Sequence, residues 1–453
     1  MLSRLLLAFL LTFPNVIYAQ MATPPALNTA LQTSTVGSVV SLGFSSVSNT
    51  HLLNLATHIP DAGGALLYSD CPETITSLGR LYQDVLPAGS NRIYLYHVNG
   101  MGAGSQLRVS AVLSNIGATT ETATITRRSF PNPSGNYSAI GREGVRQYYE
   151  NAAISNLKEL APGESALVDA ALDSQLVANN QLVNATFDAT FSGSLQVTIV
   201  AMANGADTLA TFAGTAQSPN DAFLRQGAFL SNTRENTTPY TYKTSDGIKR
   251  LRFADGPNVN ADPPINGSDN ETNAIVTLKG NFAVTYKVRI GVRSDDGRRL
   301  SLLLNPRAGA YGGYFRVTVP ETGGAITAGL IPSAVASVSD NSQGAVISLQ
   351  TLPATSQTML IEFTPAGATS LPFEILLVPF TAAATPTSSP TASPSATVSL
   401  SPTASLTATP SGTASPTASL TSSPSQSPSP TDSLTPSLTA FPSPKAQTSF
   451  TVY

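Results

Sequence analysis

Arg92-Ile93-Tyr94-Leu95-Tyr96-His97 sends successive side chains to opposite sides when extended, and its aromatic and β-branched residues fit a strand with one face buried. The same period of two runs through residues 106–113 and 120–126. Turn-forming Pro87-Ala88-Gly89, Asn99-Gly100 and Asn115-Ile116-Gly117 separate these runs. Segments 181–191 and 194–202, hinged at Ser192-Gly193, complete a first set of strands. A second set covers 273–293, 297–304, 313–319, 344–350, 358–364 and 372–379. In it, the turn Ser294-Asp295-Asp296-Gly297 is expected to fold 297–304 back against 273–293. Only residues 143–153 read as helical. Strands at this spacing, broken by turn signals, predict an all-β fold built from β-sandwiches of Ig-like or jelly-roll-like type. A body this long exceeds one ordinary sandwich. A boundary within 205–221 therefore predicts two sandwich domains, 20–205 and 221–380.

The ends of the chain have different compositions. Met1-Leu2-Ser3-Arg4 leads into an apolar run over 5–13 and a polar exit at Ala19, the pattern of a secretory signal peptide over 1–19. Cleavage after Ala22 competes with cleavage after Ala19. From Thr381 the chain is nearly all Ser, Thr, Pro, Ala and Leu, with Asp432 and Lys445 its only charges. Such a segment buries too little apolar area to offset its ordering entropy. Residues 381–453 are therefore expected to form a disordered Ser/Thr/Pro-rich stalk, O-glycosylated or bare. Past the signal, no stretch approaches the about 20 apolar residues of a membrane helix, and no GPI-type tail is apparent. The expected location is extracellular, at a cell surface.

A formal net charge of −3 with only 11% charged residues argues against a nucleic-acid partner. The surface must then be dominated by Ser, Thr, Asn and Gln. Cys71 is the single cysteine, which excludes an intramolecular disulfide. It reads as a small buried hydrophobe or as a thiol for an intermolecular bond.

Leu67-Tyr68-Ser69 and Tyr94-Leu95-Tyr96-His97-Val98-Asn99 in the first half resemble a family of uncharacterised secreted bacterial cell-envelope β-sandwich proteins. In the second half, the run from Leu303 through Asn305-Pro306-Arg307 to Gly313 is similar to a glycine-rich turn of that family. The resemblance covers the body and not the stalk. It implies fold and location, and no activity.

Chemistry-bearing motifs are sparse. His51, His58 and His97 are the only histidines, with no His-Glu-x-x-His and no paired cysteines to suggest zinc. No Gly-x-Ser-x-Gly elbow occurs, although Cys71 and His97 could meet in space. Asp70, Asp84, Glu143 and Glu150 are glycosidase carboxylates by type alone. No catalytic residue is predicted. Asp255, Asn258, Asn260 and Asp262 place oxygen donors along one loop, as a calcium site or an ordinary turn would, and calcium is the one cofactor suggested. Tyr240, Tyr242, Tyr311 and Tyr314 offer rings for stacking on a sugar ligand, with about half of such tyrosines expected to fill the sandwich cores instead. Five Asn-x-Ser/Thr sequons, at Asn136, Asn184, Asn236, Asn266 and Asn270, are glycosylation sites or chance matches. Arg307, beside a glycine-rich turn, is expected to bond loop carbonyls.

Three functions compete on this basis. The first is a secreted, non-catalytic surface or matrix protein with a structural or adhesive role, contacting a cell-wall or matrix polymer. The second is a carbohydrate-binding module or accessory protein of a polysaccharide-acting system. The third is a secreted hydrolase.

Overall fold

The computed structural model describes residues 20–49, 51–55, 59–222, 225–255 and 262–383. The expected signal peptide and all but the first three residues of the expected stalk lie outside them. Within the described residues the chain is all-β, and its strands form nine-, seven-, six- and five-stranded sheets. The described residues, all within 20–383, group by their contacts as one compact unit.

The strand Gly89–Asn99 lies inside the nine-stranded sheet, antiparallel to Leu182–Phe191 and parallel to Ala65–Ser69. Ile93 and Leu95 enter one core, with Leu67, Val109, Phe187 and Ile199. That core is closed by the five-stranded sheet, which carries Gly79–Leu86, Gln106–Ser114 and Leu195–Ala203. Tyr94, Tyr96 and Val98 enter a second core on the opposite face. The alternation therefore marks a strand buried on both faces, not on the single face expected. Its two sides are filled by different residue classes, aliphatic on one and aromatic on the other.

The second core lies between the six- and seven-stranded sheets as well. Val288, Ile290 and Val292 of Thr285–Arg293 meet Leu300, Leu302 and Leu304 of Arg299–Pro306 there. At its centre Tyr286 stacks on Phe363 at 4.8 Å, and Tyr311 stacks on Phe373 at 4.1 Å. The six-stranded sheet is covered on its outer face too, by Leu27 and Leu31 of the helix Pro25–Thr33. This explains the unbroken apolar runs Leu302-Leu303-Leu304 and Ile375-Leu376-Leu377-Val378, which have no polar face to present.

Two expectations about connectivity are corrected. Residues 273–293 form two strands, Ala274–Leu278 and Thr285–Arg293, because Gly280, Asn281 and Ala283 take positive φ and break the extended chain. The turn 294–298 does not make a hairpin. Thr285–Arg293 belongs to the seven-stranded sheet, whereas Arg299–Pro306 pairs with Gln343–Gln350 and Phe373–Phe380 in the six-stranded one. The chain arches across the core, held where the Ser294 hydroxyl donates to the Arg298 carbonyl at 2.8 Å.

The expected boundary at 205–221 is crossed by hydrogen-bonded structure. Gln226–Phe229 returns to pair with Ala65–Ser69 in the nine-stranded sheet. Early strands serve the later sheets: Val39–Ser41 pairs with Gln343–Gln350, and Asp61–Ala62 with Thr233–Glu235. Residues 20–62 thus complete sheets of the second half, which local patterning could not reveal.

The one long helix among the described residues, Tyr137–Glu150, begins earlier than expected because the Asn136 side chain caps it, accepting from the Ala139 N–H at 3.2 Å. Gly141 lies against the backbone of Gly367, where an added Cβ would sit 1.9 Å from the Gly367 carbonyl oxygen. Any larger residue would lift the helix from that loop.

Because the cores share a sheet, the full chain should unfold its 20–383 body in one calorimetric transition, with calorimetric and van't Hoff enthalpies agreeing. Two resolved steps would mean that the cores are separable units.

Candidate functional site

The parallel strands Ala65–Ser69 and Gly89–Asn99 bring together the groups most capable of chemistry. Ser69 and His97 point into the first core from neighbouring strands, and the Ser69 hydroxyl lies 3.0 Å from His97 Nε2. His97 Nδ1 lies 2.8 Å from the Pro72 carbonyl, which only accepts, so Nδ1 carries the proton and Nε2 accepts from Ser69. That is the polarity of a serine beside its general base. Both side chains have zero exposure. Burial pushes the His97 ring down to about 4, against the opposing effect of the Pro72 bond. The imidazole is neutral and sealed.

Cys71 follows on the same connection and is also buried, with Sγ 3.7 Å from Asp221 Oδ1. Burial, then the Asp221 charge, pushes its thiol up to about 12, so it stays protonated. Asp70 lies 3.3 Å from Arg225, yet burial outweighs that attraction and holds its carboxyl well above the usual range. The sequence suggested Cys71 with His97. The structure gives His97 to Ser69 instead, a residue that belongs to no catalytic motif.

On the opposite face of the same strand, Arg92 reaches toward the second core. Its Nε and Nη2 grip both oxygens of Asp188, at 2.7 and 3.1 Å. Nη1 donates to the Ala283 carbonyl at 2.7 Å, to the Thr285 hydroxyl at 2.9 Å and to the Asn232 carbonyl at 3.2 Å. The Tyr148 hydroxyl donates to Asp188 at 2.7 Å. Burial pushes the Asp188 carboxyl up, but Arg92 and Tyr148 together hold it below the usual range. A cavity of about 10 Å³ beside this node, bordered by Tyr94, Asn184 and Thr364, has room for roughly one water.

The four tyrosines proposed for sugar stacking do not form a platform. Tyr242 is buried and donates to the Gly247 carbonyl at 2.9 Å. Tyr311 is buried against Phe373, and Tyr314 is buried on Tyr149. Tyr240 is half-buried and packs on the second core. Aromatic rings in these strands were needed to fill the space between sheets.

The calcium loop is corrected in part. Asp262 has no exposure; it pairs with the equally buried Arg234 and accepts from Tyr286 and from the Ala254 N–H. Its oxygens are committed to the interior. Asp255 sits 3.5 Å from Arg252, and Asn258 and Asn260 lie outside the described residues. Among the described residues, no three His, Cys, Asp or Glu side chains converge as a metal site.

Of the sequons, Asn136, Asn266 and Asn270 are exposed. Asn184 and Asn236 are buried, and their amides donate to the Leu95 carbonyl at 3.1 Å and the Arg289 carbonyl at 2.9 Å. A glycan on either would displace packed strand. Arg307 donates to the buried Glu374 carboxylate at 2.7 Å rather than to loop carbonyls.

No family model and no curated protein sequence matches this chain. Among solved structures it is similar to the CUB1-EGF-CUB2 domain of human MASP-1/3, at 8% identity and a TM-score of 0.16. That match covers 66% of this chain and 99% of the other. A likeness at that TM-score carries no argument.

The His97 shift has a measurable consequence. The unfolded chain binds a proton at this ring near pH 6.5, whereas the folded chain resists until about pH 4. Stability from this group is complete above about pH 6.5 and is lost as pH falls toward 4, by about 3 kcal/mol. Asp70, with its raised carboxyl, acts in the opposite sense, so the comparison must be between variants. Between pH 7 and 4.5, the His97→Gln variant should lose stability to urea less steeply than wild type. Parallel pH profiles would refute the assignment.

Proposed function

We propose that this protein is a secreted, non-catalytic component of a cell surface or extracellular matrix, with a structural or adhesive role. The observation that carries this reading is the fate of the Ser69–His97 pair. Among the described residues, the one serine placed against a histidine as a nucleophile would be is closed off on all sides. Substrate would have to prise packed sheets apart to reach it. Cys71 is likewise protonated and enclosed, so neither nucleophile is poised for attack.

Further support comes from how polar groups are distributed. Interior charges are largely spent on one another, as in Arg92–Asp188 and Arg234–Asp262. Double burial of the central strand Gly89–Asn99 over residues 91–99 makes a stiff body, suited to bearing load or presenting a surface. The long Ser/Thr/Pro-rich segment after it has the composition of a stalk. The carbohydrate-stacking alternative loses its basis with the burial of Tyr242, Tyr311 and Tyr314.

The N-terminal region bears on secretion. The Met21 carbonyl accepts from the Ile248 N–H at 2.8 Å, and Met21 packs on the core beneath the first helix. Cleavage after Ala22 would remove that pairing, which favours Ala19 as the last residue of the leader. Full-length protein expressed with its leader should appear in the medium or on the cell surface, with Gln20 as its first residue by N-terminal sequencing. It should also turn over no ester, glycoside or peptide substrate in a hydrolase panel. Retention inside the cell, or a turnover abolished by Ser69→Ala, would overturn the proposal.

A further inference from the structure

A second charge node lies on the outer face of the six-stranded sheet, and it is built differently from that of Arg92. Glu374 in Phe373–Phe380 stands opposite Arg252 of Lys249–Phe253 on one side and Asn305 of Arg299–Pro306 on the other. Leu376 and Val378, two and four residues along the same strand, belong to the outer core beneath the N-terminal helix. Side chains two apart share a face, so Glu374 points outward, away from the aromatic core. Arg250, Arg252 and Arg307 converge on it from that side.

All three guanidiniums engage one carboxylate oxygen. Arg307 Nη1, Arg252 Nε and Arg250 Nη1 lie 2.7, 2.9 and 3.4 Å from Glu374 Oε1. The other oxygen, Oε2, is buried with no hydrogen-bond partner among the described residues. Asp255, 3.5 Å from Arg252, is the only further acid bridged to them among the described residues, so three positive charges face two negative ones. Burial lowers the Arg250 pKa; Glu374 opposes this, and the neighbouring Arg252 and Arg307 charges add to it.

The contrast with Arg92 is informative. Arg92 spends a two-pronged grip on Asp188 and its remaining N–H groups on carbonyls and hydroxyls. Here each arginine gives Glu374 a single nitrogen. Arg250 uses Nε on Asn54 at 2.8 Å and Nη1 on the Ser46 carbonyl at 3.2 Å. The Nη2 groups of Arg250, Arg252 and Arg307 have no hydrogen-bond partner among the described residues. The three side chains keep 11, 21 and 13% of their surface exposed, enough to meet a small ion from outside. Forked donors with excess positive charge and partial desolvation suit a planar or tetrahedral oxyanion.

We propose that Arg250, Arg252 and Arg307 form an oxyanion-binding site that takes a carboxylate, sulfate or phosphate group. Glu374 is the internal acid that holds the three arginines in place and competes with the ligand. The group arrives as a free ion or as a substituent on an acidic polysaccharide, and only the second source rests on the surface role proposed above.

The test is a calorimetric titration of the full chain with sodium sulfate, at ionic strength held constant with chloride. Wild type should take up sulfate at one saturable site, and Arg307→Gln should weaken it at least tenfold. Glu374→Gln should tighten it, because the internal competitor is gone; a merely structural ion pair would not respond that way. Circular dichroism checks that each variant is folded, and Arg307→Gln decides alone if Glu374→Gln does not fold. Absence of saturable uptake by folded wild type, or equal uptake by Arg307→Gln, overturns the site. Beads carrying dextran sulfate, polygalacturonate or neutral dextran identify the source. Retention on the acidic beads that is lost in Arg307→Gln puts the group on a polymer. Sulfate uptake without retention supports the site with a free ion as its ligand, and counts only against the matrix reading.

Discussion

From Asn91 to Asn99 the strand Gly89–Asn99 has water on neither face, and much of the surrounding architecture answers to that constraint. A strand on an ordinary sheet sends its odd polar residue to solvent. Arg92, His97 and Asn99 have no such exit, and an unpaired buried polar group costs about 1–3 kcal/mol, a charge more. Each is therefore met from inside: Arg92 by Asp188 and the 283–285 backbone and hydroxyl, His97 by Ser69 and Pro72, Asn99 by the Val177 carbonyl at 2.8 Å. These partners come from distant stretches of the chain. The pairing of Arg92 with residues 283–285 joins the two halves by polar contacts as well as by packing.

The same constraint explains what could be seen in the sequence. Strand positions were legible because period-two alternation survives even when both faces are buried: Tyr94 and Tyr96 differ from Ile93 and Leu95 in kind if not in burial. Segments such as 106–113 and 313–319 correspond closely to the strands Gln106–Ser114 and Gly313–Val319. Pairing was not legible. The signal Ser294-Asp295-Asp296-Gly297 describes a tight reversal, and a reversal serves a hairpin and a sheet-to-sheet arch equally well. Only the far partners of Arg299–Pro306 tell them apart. The domain boundary failed for a related reason. The composition of residues 20–62 does not reveal that they finish sheets whose other strands lie far along the chain.

The candidate site was less legible than the fold. Tyrosine is ambiguous in a sequence, since the ring suits a core and the hydroxyl suits a surface. Tyr242 and Tyr311 were claimed by the core, and Tyr148 became a member of a charge node. Asp262 looked like a metal ligand because its loop is rich in Asp and Asn, yet its partner Arg234 lies 28 residues upstream. Ser69 had no catalytic motif around it at all; only the parallel pairing of its strand with Gly89–Asn99 brings it to His97.

Interior arginines in this protein thus fall into two kinds, distinguished by how completely their donors are used. Arg92 and Arg234 are almost wholly enclosed and matched to carboxylates, with neighbours arranged to take further donors. Such pairs fix geometry while their desolvation cost offsets much of their attraction. Around Glu374 the balance differs: three cations lean on one oxygen, and among the described residues the second oxygen is left without a donor. A cluster serving only the fold would gain by turning one fork onto Oε2, as Arg92 does with Asp188. That it does not, on a face already held by the helix Pro25–Thr33, separates the requirement of the fold from that of a ligand.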